Sequence, residues 1–226
     1  MARSTEEKRE MIIKNFLDLV RVHGINRVTL NDVSEKSGLT KSALYYYFDS
    51  KEALLVEGFD FFNEKIKDIF LPLIEKAETP IEIIKTYIDF NIKVHTGEYE
   101  EFRHMMEMTT EVFYEIQRYI FNSPEIAKKI LQYRDTELWW MNSVIAEYVG
   151  EDPEDDRTKK ITLIFAAHLH AYIHISCQMS KQMKDLSTTY SILTDFPWKI
   201  DNVTNEDICT FLVGGINNLY KQLFNR

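Results

Sequence analysis

Apolar side chains recur every three or four positions along most of the chain, the period of amphipathic helices rather than strands. Ile12, Phe16, Leu17 and Val20 predict a first helix that stops at Gly24, and Leu30 with Val33 a short second one that ends at Gly38. Leu44 and Phe48, four apart, give a third short helix one inward face. A long helix then starts near Lys51, and Pro72 should kink or end it. Further on, a hydroxyl or carboxylate followed by proline marks helix starts, and glycine marks helix ends. Thr79-Pro80 with Glu82 opens a helix that closes at Gly97. Ser123-Pro124 opens one that closes at Gly150. Asp152-Pro153 with Asp155 opens the next, and Thr204 with Asp207 the last. Residues 187–202 read as a long ordered loop around Phe196-Pro197-Trp198, and no run alternates as a strand should. The predicted fold class is all-α.

The segment TLNDVSEKSGLTKSALYYYFDSKE, residues 29–52, adds chemistry to this pattern. Thr29 and Asp32 form a capping-box pair, Gly38 permits a tight turn, and Leu39 plugs it. Thr40 caps the third helix. Asp49 and Glu52 are expected to cap the fourth. With Leu44 and Phe48 facing inward, Lys41, Ser42, Tyr45 and Tyr46 fall on the opposite face. A short helix offering one cation, a small hydroxyl and aromatic hydroxyls suits a DNA major groove. Lys41 and Ser42 would approach base edges, with Ala43 and Tyr45 available to thymine methyl groups. Thr29, Thr40, Tyr46, Tyr47 and Lys51 would hold phosphate. Tyr47 serves equally well as packing beside Phe48.

Residues 5–55 resemble the DNA-binding domain of the tetracycline-repressor (TetR) family of bacterial regulators. The resemblance rests on Thr29, Val33, Gly38, Leu39, Thr40, Lys41, Leu44, Tyr45, Tyr47, Phe48, Lys51, Glu52 and Leu54. It covers about a quarter of the chain and rests on many fixed spacings. It implies a three-helix helix-turn-helix domain over residues 1–50 and a larger helical ligand-binding and dimerisation bundle over 51–226. It also implies a ligand-responsive regulator, a repressor that leaves its operator when a small effector binds. The alternative is a helical small-molecule or metal-binding protein without specific operator binding.

The last two long helices carry apolar faces, Ile164, Phe165, His168, Leu169, Tyr172, Ile175, Met179 and Met183 on one, Phe211, Leu212, Gly215, Ile216, Leu219 and Leu223 on the other. The resemblance makes them the homodimer interface; the alternative is a monomer in which both helices are buried in a single core. The adjacent Gly214 and Gly215, poor in helix propensity, fit a close approach by another backbone. A two-fold dimer would read a pseudo-palindromic double-stranded operator, its half-sites about 34 Å or a multiple apart.

Charge sharpens the division of labour. The net charge is −9, yet residues 1–51 carry nine Lys and Arg against seven Asp and Glu. The remainder carries eighteen against twenty-nine, so only the segment expected at phosphate is not acidic. With so small an excess, DNA binding must lean on hydroxyl and backbone donors and on dimer geometry. Two cysteines, Cys177 and Cys209, argue against a disulfide framework and for a reducing compartment. The charged start and the absence of a bilayer-length apolar run point to a cytoplasmic protein with no membrane partner.

An effector pocket is expected among the aromatic and methionine side chains of residues 80–180. The candidates are Phe90, Phe102, Met105, Met106, Phe113, Trp139, Trp140, Phe165, His168 and Tyr172, and they imply a largely hydrophobic ligand. Trp139 and Trp140 cannot both face one side of a helix. His170 and His174 have a chelating spacing, with His168 nearby, and His104 with Glu107 form another pair. No HExxH run or cysteine pair accompanies them, so they are read as core or interface histidines, with no metal and no cofactor. No phosphate loop, nucleophile elbow or other catalytic pattern is present, and no enzyme activity is expected.

Overall fold

The computed structural model describes residues 4–100, 102, 110–189 and 205–224, with the side chains of 110, 111, 113, 174–189 and 205 left aside. Nine helices fall within these residues: α1 Thr5–His23, α2 Leu30–Lys36, α3 Lys41–Tyr47, α4 Lys51–Ile74, α5 Pro80–Thr96, α6 Thr110–Phe121, α7 Pro124–Val149, α8 Asp156–Thr189 and α9 Asn205–Phe224. No strand occurs among the described residues, so the all-α expectation holds.

Most helix ends follow the local signals. Ser4 and Glu7 close a capping box on α1, Thr29 and Asp32 one on α2, and Thr79 and Glu82 one on α5. After α2 the Leu39 amide reaches back to the Ser34 carbonyl at 2.9 Å and the Gly38 amide to Glu35 at 3.1 Å, a Schellman ending. It requires the left-handed backbone that Gly38 adopts at φ 65°. Pro72 lies inside α4, which runs only two residues further.

Two expected caps are displaced by a residue or more. Ser50, not Asp49, caps α4: its hydroxyl accepts the Ala53 amide at 3.0 Å, while Glu52 accepts a hydrogen bond from Tyr119. The helix expected to open at Asp152-Pro153 starts at Asp156. Residues 152–155 form a turn of their own, closed by the Glu154 amide on the Asp152 carboxylate at 2.8 Å. Asp155 is the cap that follows, accepting the Arg157 amide at 2.8 Å.

The chain divides into two compact units, each with its own core. One comprises residues 1–69 and 99–134, the other 70–98 and 135–226. The first unit extends beyond residue 50, adding most of α4, all of α6 and the start of α7. Its core joins Ile12, Phe16 and Val20 of α1 to Val33, Leu44, Phe48 and Leu54, and is completed by Ile120 and Ile126. The second core packs Ile84 and Ile88 of α5, Met141 and Ile145 of α7, Ile161, Phe165 and Leu169 of α8, and Leu212 and Ile216 of α9. Between α7 and α8, buried Asn142 donates to the Pro153 carbonyl and accepts from Thr162. Among the described residues no helix is long and apolar enough to cross a membrane.

The Arg157 side chain and amide hold the Asp155 carboxyl down from the usual 3.8 to about 2. A folded pKa below the unfolded one stabilises the fold fully above pH 3.8 and loses that contribution as pH falls through about 2. The difference in thermal midpoint between wild type and Asp155→Asn, measured by circular dichroism, should therefore be open at pH 5 and close as pH approaches 2.

Candidate nucleic-acid interface

A seven-residue helix is too short to be stable alone, so α3 must be held by its surroundings. Leu44 is fully buried and Phe48, its C-cap, is 2% exposed. Such side chains contribute about 1.5–3 kcal/mol each on burial. The Thr40 hydroxyl accepts the Ala43 amide at 3.2 Å at the other end. Arg9 of α1 supplies a support that the sequence did not reveal. Its guanidinium lies 4.6 Å from the centre of the Phe48 ring, donates to the Tyr47 carbonyl at 3.1 Å and pairs with Glu57 of α4. Asn15 bonds Ser37 at 3.1 Å and Asp18 bonds Lys36 at 3.1 Å, tying α1 to α2.

With its inner face buried, α3 presents Lys41, Ser42, Tyr45 and Tyr46 outward, the last 79% exposed. Ala43 and Tyr47 are half-buried, Tyr47 edge-on to Tyr46 at 5.1 Å and packed against the first core. Thr29 and Thr40 are exposed, each at the start of a helix where backbone N–H groups favour an anion. The Thr29–Asp32 hydrogen bonds hold the Asp32 carboxyl below its ordinary range. Lys51 is more committed than its sequence position suggests. Its ammonium donates to the carbonyls of Ile25 at 2.8 Å and Val28 at 3.3 Å, so two of its three N–H groups are engaged.

The expected effector residues do not gather as one set. Phe102 belongs to the first unit and packs edge-on against Phe62 at 5.1 Å. Met105 and Met106 lie outside the described residues, as does the side chain of Phe113. Phe90, Trp140 and Phe165 of the second unit share a cluster with Phe70 and Tyr87, which sequence patterning did not single out. Phe70 sits 4.9 Å from Phe90 and 5.5 Å from Trp140, and Tyr87 sits 5.8 Å from Trp140 and 6.4 Å from Phe165. The Tyr87 hydroxyl donates to Glu137 at 2.6 Å, a polar group at the cluster's edge. Trp139 is half-exposed beneath the Lys159 ammonium. His168 and Tyr172 line a groove of about 290 Å³ with Phe211 and Leu212 of α9. His168 bonds the Ile164 carbonyl at 2.7 Å. His104, Glu107 and the His174 side chain lie outside the described residues, among which no three-residue metal cluster occurs.

Residues 12–57 match the family described as bacterial regulatory proteins, tetR family. The N-terminal segment is similar to the TetR-type DNA-binding domain. The chain is 25% identical over 181 residues to the uncharacterized HTH-type transcriptional regulator YerO of Bacillus subtilis, covering 75% of this chain and 56% of that one. It is 33% identical over 96 residues to the HTH-type transcriptional regulator RutR of Escherichia coli (strain K12), 41% of this chain and 43% of that one. The chain thus spans about half the length of these relatives. A solved structure of a candidate transcriptional regulator from Pseudomonas aeruginosa PAO1 superposes with a TM-score of 0.70 at 11% identity, covering 96% of this chain and 92% of that one. At that identity the likeness extends to the fold. The match to the TetR-type domain ends at residue 57, short of Ile120 and Ile126, which complete its core here.

Replacing Thr40 with alanine should destabilise the TetR-type domain by about 1 kcal/mol, read from urea unfolding, and serine should restore most of it.

Proposed function

We propose that the protein is a ligand-responsive transcriptional repressor that binds a pseudo-palindromic operator as a homodimer and is released by a small, largely hydrophobic effector. The observation that carries the reading is the outer face of α3, where Lys41, Ser42, Tyr45 and Tyr46 stand clear of the core on a helix held from behind. Lys41 and Ser42 are the groups for base edges, with Ala43 and Tyr45 beside them for thymine methyls. Tyr46, Tyr47, Thr29, Thr40 and the remaining N–H of Lys51 are placed for phosphate oxygens. Hydroxyls and helix N-termini supply most of the donors, in keeping with the small excess of basic residues.

Dimerisation is assigned to α8 and α9. Phe211 is 70% exposed and Leu163 56%, with Ile164 beside them. Apart from the adjoining backbone of α9 itself, no described atom lies within 4 Å of where a side chain on Gly214 or Gly215 would begin, which leaves room for a second backbone. The effector is assigned to the ring cluster of Phe70, Tyr87, Phe90, Trp140 and Phe165, with Tyr87 and Glu137 to orient it. The helix α4 contains residues of both compact units, Lys51 to Ile69 in one and Phe70 to Ile74 in the other. An effector that favours one placement of α4 over another would change the spacing of the two recognition helices. Equal affinity for both placements would shift nothing.

Fluorescence anisotropy with DNA from upstream of the protein's own gene tests the reading, with unrelated DNA as competitor. Specific binding should weaken with salt, and Lys41→Ala should cost about 1–3 kcal/mol per half-site on the specific duplex while changing binding to unrelated DNA little. A specific affinity unchanged by the substitution would remove Lys41 from the interface. Phe211→Asp should yield monomers by sedimentation and lose operator binding. A dimer that survives it would move the interface elsewhere.

A further inference from the structure

The turn between α1 and α2, residues 24–28, is gripped from two helices that follow it in the chain. Glu115 of α6 accepts the Asn26 amide at 2.7 Å, a charge-assisted bond to an exposed turn. Gly24 makes the approach possible, because a Cβ there would overlap the same carboxylate. On the other side, the Lys51 ammonium of α4 takes the Ile25 and Val28 carbonyls. The two helices are joined in turn: the Lys51 ammonium lies 5.3 Å from the centre of the Tyr119 ring, and the Tyr119 hydroxyl donates to Glu52. A closed circuit results, running from the turn through Lys51 and Tyr119 along one turn of α6 to Glu115 and back to the turn.

We infer that Glu115 and Tyr119 are positioning residues for the DNA-reading helix, acting through the 24–28 turn although neither faces outward from α3. The turn ends at Thr29, the cap of α2, and α2 passes through the Gly38 ending directly into α3. Holding residues 24–28 therefore fixes the angle at which the α2–α3 pair leaves α1. Ile25 and Val28 also anchor the turn in the core, fully buried and 2% exposed. If that burial alone set the turn, Glu115 would add nothing. Removing the Glu115 carboxylate frees the Asn26 amide, allows the turn more than one path and lowers the fraction of molecules in the reading geometry. Apparent DNA affinity falls by that fraction, while every group that meets phosphate stays in place.

The effect on DNA rests on the function proposed above, whereas the clamp on the turn does not, and the experiment separates them. Amide exchange by NMR is measured on the full chain without DNA for wild type, Glu115→Ala, Glu115→Gln and Tyr119→Phe. In Glu115→Ala the Asn26 amide should exchange about tenfold faster, as expected when one hydrogen bond to a charged group is removed, while α1 and α3 amides and the thermal midpoint change little. Glutamine, which keeps an acceptor oxygen, should restore most of the protection. Tyr119→Phe should loosen the turn less, because the ring under Lys51 remains. On the upstream DNA duplex Glu115→Ala should bind about fivefold or more weakly with an unchanged salt slope. Unchanged exchange in Glu115→Ala overturns the clamp. Faster exchange with wild-type DNA affinity overturns the positioning role. A wild-type chain that binds no duplex overturns the regulator reading and the positioning role with it, and exchange at Asn26 still decides the clamp.

Discussion

The outer face of α3, proposed above to read DNA, depends on the burial of two side chains, Leu44 and Phe48, beneath a helix of seven residues. A helix of that length forms in water only as part of something larger. These two side chains make α3 part of the first core, and their removal from water leaves the opposite face free for Lys41, Ser42, Tyr45 and Tyr46. Arg9 reinforces the same point from the rim, stacking on Phe48 while binding the Tyr47 carbonyl and Glu57. The exposure of the outer face is thus a consequence of how the inner face is packed.

Electrostatics follows the same division. The chain as a whole is acidic, and the reading segment carries only a slight excess of positive charge. With Lys51 largely turned inward, the contacts proposed for this face fall to short polar groups and to backbone amides at helix starts. Such contacts are directional and short in range, so they reward geometry more than bulk charge. A protein of this kind has reason to fix the angle of its reading helix with several independent supports.

Much of this was legible in the sequence wherever the physics is local. The caps at Thr29, Thr40 and Thr79 and the turn at Gly38 depend on residues within four positions of one another. Where polar residues crowd together, the sequence alone named the wrong cap. Ser50 rather than Asp49 reaches the first amides of α4, and Asp155 rather than Asp152 those of α8, because a register of one to three residues is settled by the turn and by competing partners such as Tyr119 for Glu52. The partners least visible were the distant ones. Lys51 meets Ile25 across 26 positions, Tyr87 meets Glu137 across 50, and Glu115 meets Asn26 across 89. No period or motif encodes such pairs. The scatter of the aromatic set over two cores has the same origin, since composition shows which rings exist but not which core each one enters.

Ile120 and Ile126 close the core that begins at Ile12. As the chain leaves the ribosome, the first three helices therefore emerge long before the residues that seal them. Until α6 and the start of α7 follow, the nascent segment holds apolar surface open to water and to other chains, the condition that favours premature association. The final packing of the first unit waits until about half of the chain has been made, reached through contacts between segments more than a hundred residues apart, and contacts of that separation slow folding. The sequence that looks like the simplest part of the molecule is the part that must wait for the rest.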